Sequence, residues 1–139
     1  MFSFDGSVTG DLLNIKLPTS ADWLKLGLDE AKEIRQRTET KGLDVKGESF
    51  KPYSAAYAAY RAEMGRGTMP NLSFSGRMLG ALGSNVSATG DSARLTLAGE
   101  EGFKAWSNER RGREFMGVTP DRLQLLAEQF ASLVIKGIT

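Results

Sequence analysis

The C-terminal stretch constrains the fold most. Between residues 120 and 136, Leu123, Leu126, Phe130, Leu133 and Val134 recur at i, i+3, i+7, i+10 and i+11, with Leu125 and Ile135 widening the stripe. That spacing predicts a helix with one broad apolar face. Its start is well marked. Thr119 is a good N-cap, Pro120 suits the first helical position, and Asp121 lies in the first turn, where the helix dipole favours a negative charge. So wide an apolar face must be covered, either by the rest of this chain or by a neighbouring subunit.

A second long helix is expected from Thr19 or Ser20 to about Thr38. Leu24, Leu28 and Ala31 would form its inward stripe with Trp23 and Ile34 on the flank, and Asp29, Glu30, Lys32, Glu33 and Arg35 would cover the outer face. Leu13, Ile15 and Leu17 alternate with polar residues after the Thr9-Gly10-Asp11 turn, so residues 2–17 read as extended and form a plausible hairpin. Ser54 opens an Ala-rich helix to about Met64, and a short helix is expected from Gly76 to about Leu82. Val86 and Ala88, then Ala93, Leu95 and Leu97, flank Thr89-Gly90-Asp91-Ser92 as a β-hairpin. A helix from about 100 to 109 would bury Phe103 and Trp106, and Phe115 with Met116 would make a short strand. Residues 42–53 show neither helical nor strand periodicity, and a loop of about a dozen residues in a small domain is usually functional or ordered by a partner. The expected architecture is α+β: one domain over residues 1–139, with a small antiparallel sheet packed against two longer helices and a long extended loop between helices.

Composition narrows the chemistry. The chain has no Cys and no His, which removes thiol nucleophiles, His-based triads, His-ligated zinc and an imidazole base. The carboxylates Glu63, Glu100, Glu101, Glu109 and Glu114 remain, but nothing in their spacing sets two of them across a cleft as glycoside hydrolysis needs. No phosphate-binding loop, calcium loop or dinucleotide fingerprint is present, and no metal or cofactor is expected. The first residues lack the basic region and apolar block of a secretory signal, and no run is long and apolar enough to suggest a membrane span. We therefore read the chain as a binding protein and not an enzyme. Net charge is +1, unlike the strongly basic face of a dedicated nucleic-acid binder. The cluster Arg110, Arg111 and Arg113 could contact phosphates, which makes a small nucleic-acid-binding module the alternative. Glu109 and Glu114 flank the cluster and could instead hold it within the chain or between subunits.

Three blocks resemble the phage virion-morphogenesis family, the tail-completion or head–tail joining proteins. The first is Arg37-Thr38 followed by Gly42, Asp44, Gly47, Phe50, Pro52, Tyr53, Ser54 and Tyr57. The second is Asn71-Leu72, then Phe74-Ser75-Gly76-Arg77-Met78-Leu79. The third is Asn108, Arg110-Arg111-Gly112-Arg113, Phe115-Met116-Gly117-Val118 and Asp121. The blocks occur in family order over residues 30–138 and leave residues 1–18 outside. The resemblance implies a structural subunit of the virion neck, assembled from the host cytoplasm into a ring between head connector and tail. Six copies are favoured and twelve are the alternative, and genomic DNA would pass through the lumen without sequence-specific contact. The expected partners are other copies of the chain and neighbouring neck, connector and tail proteins, with no membrane. Gly42 and Gly47 would let residues 42–53 turn as an extended arm, and Phe50, Pro52 and Tyr53 would anchor it on a neighbour. Asp44, Tyr57, Arg77, Arg110, Arg111, Arg113 and Phe115 complete the expected interface.

Overall fold

The structure, a computed structural model, describes residues 2–5, 18–72 and 76–138. The fold is α+β. In chain order it comprises β1 (Phe2–Asp5), α1 (Ser20–Glu39), α2 (Ala55–Glu63), α3 (Arg77–Ala81), a 3-10 turn (Gly83–Asn85), β2 (Val86–Ala88), β3 (Ser92–Leu95), α4 (Gly99–Arg110) and α5 (Pro120–Ile138). β3 is the central strand, antiparallel to β1 on one side and β2 on the other. The expected 86–97 hairpin is present, with Val86 opposite Leu95 and Ala88 opposite Ala93. Phe2–Asp5 pairs with β3, with Phe2 opposite Leu95, while the strand expected over Leu13, Ile15 and Leu17 falls outside the described residues. No helix among the described residues is long and apolar enough to cross a membrane.

Local signals place the helix starts where the sequence puts them. The Thr19 side chain accepts from the Asp22 N–H and the Asp22 carboxylate accepts from the Thr19 N–H, closing a capping box at α1. The Ser54 hydroxyl accepts from Tyr57 N–H at α2, and Thr119 accepts from Arg122 N–H at α5. These bonds span three residues, so they form without help from the rest of the fold.

The face that α1 buries is only partly the expected one. Trp23, Ala31 and Ile34 are buried as expected, but Leu26, Gly27, Glu30 and Arg37 point inward with them, whereas Leu24 and Leu28 are 38% and 42% exposed. The cause is Gly27. A Cβ added there would lie 2.7 Å from Val86 Cγ1 and 3.1 Å from Ala93 Cβ, so the hairpin packs directly on the helix backbone at that position. That contact turns the helix until Leu24 and Leu28 leave the core. Around it, Ile34, Leu79, Leu82, Leu95 and Phe115 form the main core. Trp23, Leu26, Ala93 and Leu126 form a second cluster that seats α5, with Phe130 beside Trp23 at a ring separation of 5.5 Å.

Two further expectations change. α4 packs through Ala105, so Phe103 and Trp106 are 65% and 52% exposed instead of buried. Phe115 and Met116 form no strand, because their N–H groups donate to the Glu109 carboxylate and not to a ladder. The long loop is folded rather than extended, closed by an isolated antiparallel bridge between Leu43 and Ser49.

Gly27→Val should lower stability by about 1–3 kcal/mol, the usual cost of forcing atoms into a filled contact. Urea unfolding of the two proteins measures it, and an unchanged midpoint would show that the hairpin does not rest on Gly27.

Candidate functional site

The three sequence blocks meet at the C-terminal end of α1. Arg37 lies there, buried, and its Nη2 donates to the carbonyls of Phe115 at 2.7 Å and Gly117 at 3.3 Å. Val45 N–H donates to the Glu114 carbonyl at 2.9 Å, which ties the 42–53 loop to the same segment. Arg113 Nε and Nη2 reach the carbonyls of Lys51 and Pro52. Tyr53 Oη accepts from Leu72 N–H at 3.1 Å, bringing in the second block. Residues separated by up to 80 positions in sequence are thus joined mainly by side chains that satisfy backbone groups.

Within the loop, Asp44 Oδ1 accepts from the N–H groups of Lys46 and Glu48 at 2.8 and 2.9 Å, and its own N–H donates to the Glu48 carbonyl. Gly42 and Gly47 take positive φ, +63° and +80°, which a side chain would strain. Phe50 then enters the main core. This corrects the arm expectation: residues 42–53 fold back on their own chain, and Phe50 and Phe115, at 5% and 0% exposure, are core residues that a neighbour cannot reach. An apolar ring is more stable among other core side chains than at the end of a solvated arm.

A ladder of rings and guanidinium groups leads outward from this junction. Arg113 and Arg61 each place Cζ 5.1 Å from the Tyr53 ring centroid, and Arg61 also lies 5.9 Å from Tyr57. Tyr57 and Tyr60 stack at 6.3 Å with their planes 30° apart. Arg61 is itself buried and donates through Nε to the Gly67 carbonyl at 2.7 Å. The outer rungs border a groove of about 730 Å³ between α2 and α4, with the start of α3 at its base. Tyr57, Tyr60 and Phe103 give it exposed aromatic surface, and Arg77, Arg111 and Arg113 give it positive charge, while Lys104 on its wall is ion-paired with Glu100 and Glu101 at 3.4 and 3.3 Å. None of the described residues lining it is acidic.

The expected interface residues therefore divide. Tyr57, Arg77 and Arg111 line the groove, with Tyr53 and Arg113 forming its inner wall. Gly42, Asp44, Gly47 and Pro52 shape the loop, and Arg110 lies against Trp106, 4.9 Å from its ring centroid. Tyr60, Arg61, Phe103 and Lys104 belong to the groove but were not singled out by motif. The close spacing of Tyr57, Tyr60 and Arg61 on one helix was the signal available for two of them. No protein-family model, curated protein or solved structure matches the chain.

On the opposite side of Arg37 lies a buried ion pair. Glu30 is fully buried, and its Oε2 accepts from Arg122 Nη2 and Nε at 2.9 and 3.0 Å, joining α1 to α5. Glu30 Oε1 and Arg37 Nε and Nη1 find no partner among the described residues. Burial pushes the Glu30 carboxyl above its ordinary value, while Arg122 and then Arg37 pull it down. Burial likewise lowers Arg37, opposed first by the Glu30 charge.

With its folded pKa above 4.5, Glu30 favours the folded state below that value, and this contribution is lost as pH rises through the folded pKa. Arg122 offsets the loss in the ionised state. Arg122→Met should therefore cost about 3–5 kcal/mol near neutral pH, by leaving a buried carboxylate unpaired. The deficit against wild type should narrow as pH falls toward 4.5. Urea titrations across that range test it, and a pH-independent deficit would mean the Glu30 charge is not the cause. Asp44→Ala should cost about 1 kcal/mol by removing one acceptor from two loop N–H groups; equal stability to wild type would show that water replaces it fully.

Proposed function

We propose that this chain is a structural subunit of a tailed-phage neck, a tail-completion or head–tail joining protein that acts by binding alone. The observation that supports this reading is the convergence at the end of α1. The three blocks carrying the family resemblance are not scattered over the surface. They build one junction, held by Arg37, Glu109 and Arg113, and that junction supports an exposed aromatic and cationic groove. A lining of Tyr, Phe, Met and Arg, with no carboxylate among the described residues, is the composition that protein–protein contacts favour. On this reading the chain forms a ring of six copies between the head connector and the tail, with twelve the alternative, and neighbouring neck proteins bind its two faces. Closed rings follow when one repeated contact between unlike patches rotates each copy by a fixed fraction of a turn.

The nucleic-acid alternative draws less from the geometry. Arg113 is committed to loop carbonyls and Arg110 to Trp106, which leaves Arg111 as the outward member of the cluster.

Immunogold labelling of intact particles with antibody against the chain tests the reading. Gold should cluster at the joint between head and tail. Label along the capsid or at the distal tail tip would overturn it. Light scattering of the purified full chain, from micromolar concentration upward, should show a discrete species of six or twelve subunits.

A further inference from the structure

The turn that ends α4 gathers more positive charge than the run of arginines in the sequence shows. Gly112 takes φ +80°, its N–H donates to the Glu109 carbonyl at 3.0 Å, and Arg113 N–H donates to the Asn108 carbonyl at 3.0 Å. The helix thus closes in a left-handed cap that glycine enters without strain. The Lys51 side chain lies over this cap. A Cβ added at Gly112 would stand 3.0 Å from Lys51 Nζ, so the ammonium group rests against the glycine. Lys51 thereby joins Arg110, Arg111 and Arg113 at one turn, although it precedes Arg113 by 62 positions. No carboxylate neutralises the group. Among the described residues, none of the four cations forms an ion pair. Glu109 accepts from the N–H groups of Phe115 and Met116, and the exposed Glu114 stands outside ion-pairing distance. Arg113 donates to the Lys51 and Pro52 carbonyls and Arg110 lies on the Trp106 ring, but neutral partners leave a guanidinium its charge. The last carbonyls of α4 ease the repulsion among the cations without cancelling it.

We propose that this turn is a phosphate-binding surface, on which Lys51, Arg110, Arg111 and Arg113 contact the phosphodiester backbone of duplex DNA without reading its sequence. The inference goes beyond the neck reading and does not depend on it. Lys51 and Arg111, both exposed, supply two cations with no acceptor among the described residues, where the arginine run by itself supplies one. Unpaired charge of one sign is what a polyphosphate chain neutralises well, because each phosphate contacted releases condensed counterions. An acidic protein is the poorer fit. Lysine is depleted from contacts between proteins, whereas surfaces that hold nucleic acid are much more positive. Contacts made only by cations to phosphates position a duplex and carry no base information.

Fluorescence anisotropy of a short labelled DNA duplex of arbitrary sequence, titrated with the full chain at rising salt, tests the assignment. Wild type should bind at low salt, and log affinity should fall against log salt with a slope of about −3 to −4, near 0.9 for each phosphate contacted. Lys51→Ala and Arg111→Ala should each weaken binding severalfold and reduce the slope by about 1. Lys51→Arg should bind as wild type does. Lys32→Ala, an exposed cation on α1, should change nothing. Circular dichroism establishes that each variant folds. The inference fails if wild type leaves the duplex unbound at low salt, or if Lys51→Ala and Arg111→Ala both bind as tightly as wild type. It also fails if Lys32→Ala weakens binding equally, because the effect is then not localised at the turn. Tighter binding of polyglutamate than of the duplex would assign the turn to an acidic protein and overturn the proposal. Strong preference for one duplex over a scrambled one would overturn backbone contact. None of these outcomes decides the neck assignment, which immunogold labelling tests separately.

Discussion

The inward face of α1 carries charge, and the rest of the molecule is arranged to satisfy it. Glu30 and Arg37 lie two turns apart on a helix whose other buried positions, Thr38 apart, are apolar. A carboxylate and a guanidinium removed from water are stable only if partners reach them. Arg122 reaches Glu30 from α5, and the carbonyls of Phe115 and Gly117 reach Arg37 from the segment just before that helix. These contacts fix where the C-terminal third of the chain lies, in both direction and register. Apolar packing alone would hold α5 against α1 with much less preference for one sliding position over another.

The remaining polar junctions follow the same logic of side chains completing backbone. Glu109 takes the N–H groups of Phe115 and Met116, Arg113 takes the carbonyls of Lys51 and Pro52, and Tyr53 takes the N–H of Leu72. Each replaces a ladder or helix bond that irregular backbone cannot make for itself. Long connections are rigid here without regular secondary structure, and the aromatic–guanidinium ladder that starts at Tyr53 is therefore set on a firm base. Preorganised aromatic and arginine surface loses little conformational freedom when a partner covers it.

The glycine at position 27 shows how a single residue redirects an amphipathic helix. Judged by hydrophobicity, Leu24 and Leu28 outrank Gly27 and Glu30 as core residues. Packing reverses the order, because the hairpin gains close contact only where a side chain is missing. The two leucines then stay on the surface at modest cost, since single exposed apolar residues are common on folded proteins. Phe103 and Trp106 follow the same pattern on α4, where the small Ala105 takes the inner position.

The spans of α1, α2 and α5, their caps at Thr19, Ser54 and Thr119, and the 86–95 hairpin could all be read directly from the chain. Each is set by bonds between residues three or four apart, or by a turn between adjacent strands, so local order suffices. The resemblance blocks pointed to the segments that meet at the end of α1, and Tyr57, Arg77 and Arg111 proved to share one groove. The inward face of α1, the burial of Phe50 and Phe115, and the exposure of Phe103 were not legible that way. Nor was the pairing of Glu30 with Arg122, which lie 92 residues apart. Those outcomes depend on which surfaces meet in space. A charge is tolerated inside only where a distant partner arrives, and an apolar ring is buried only where a closer-packing competitor does not take its place.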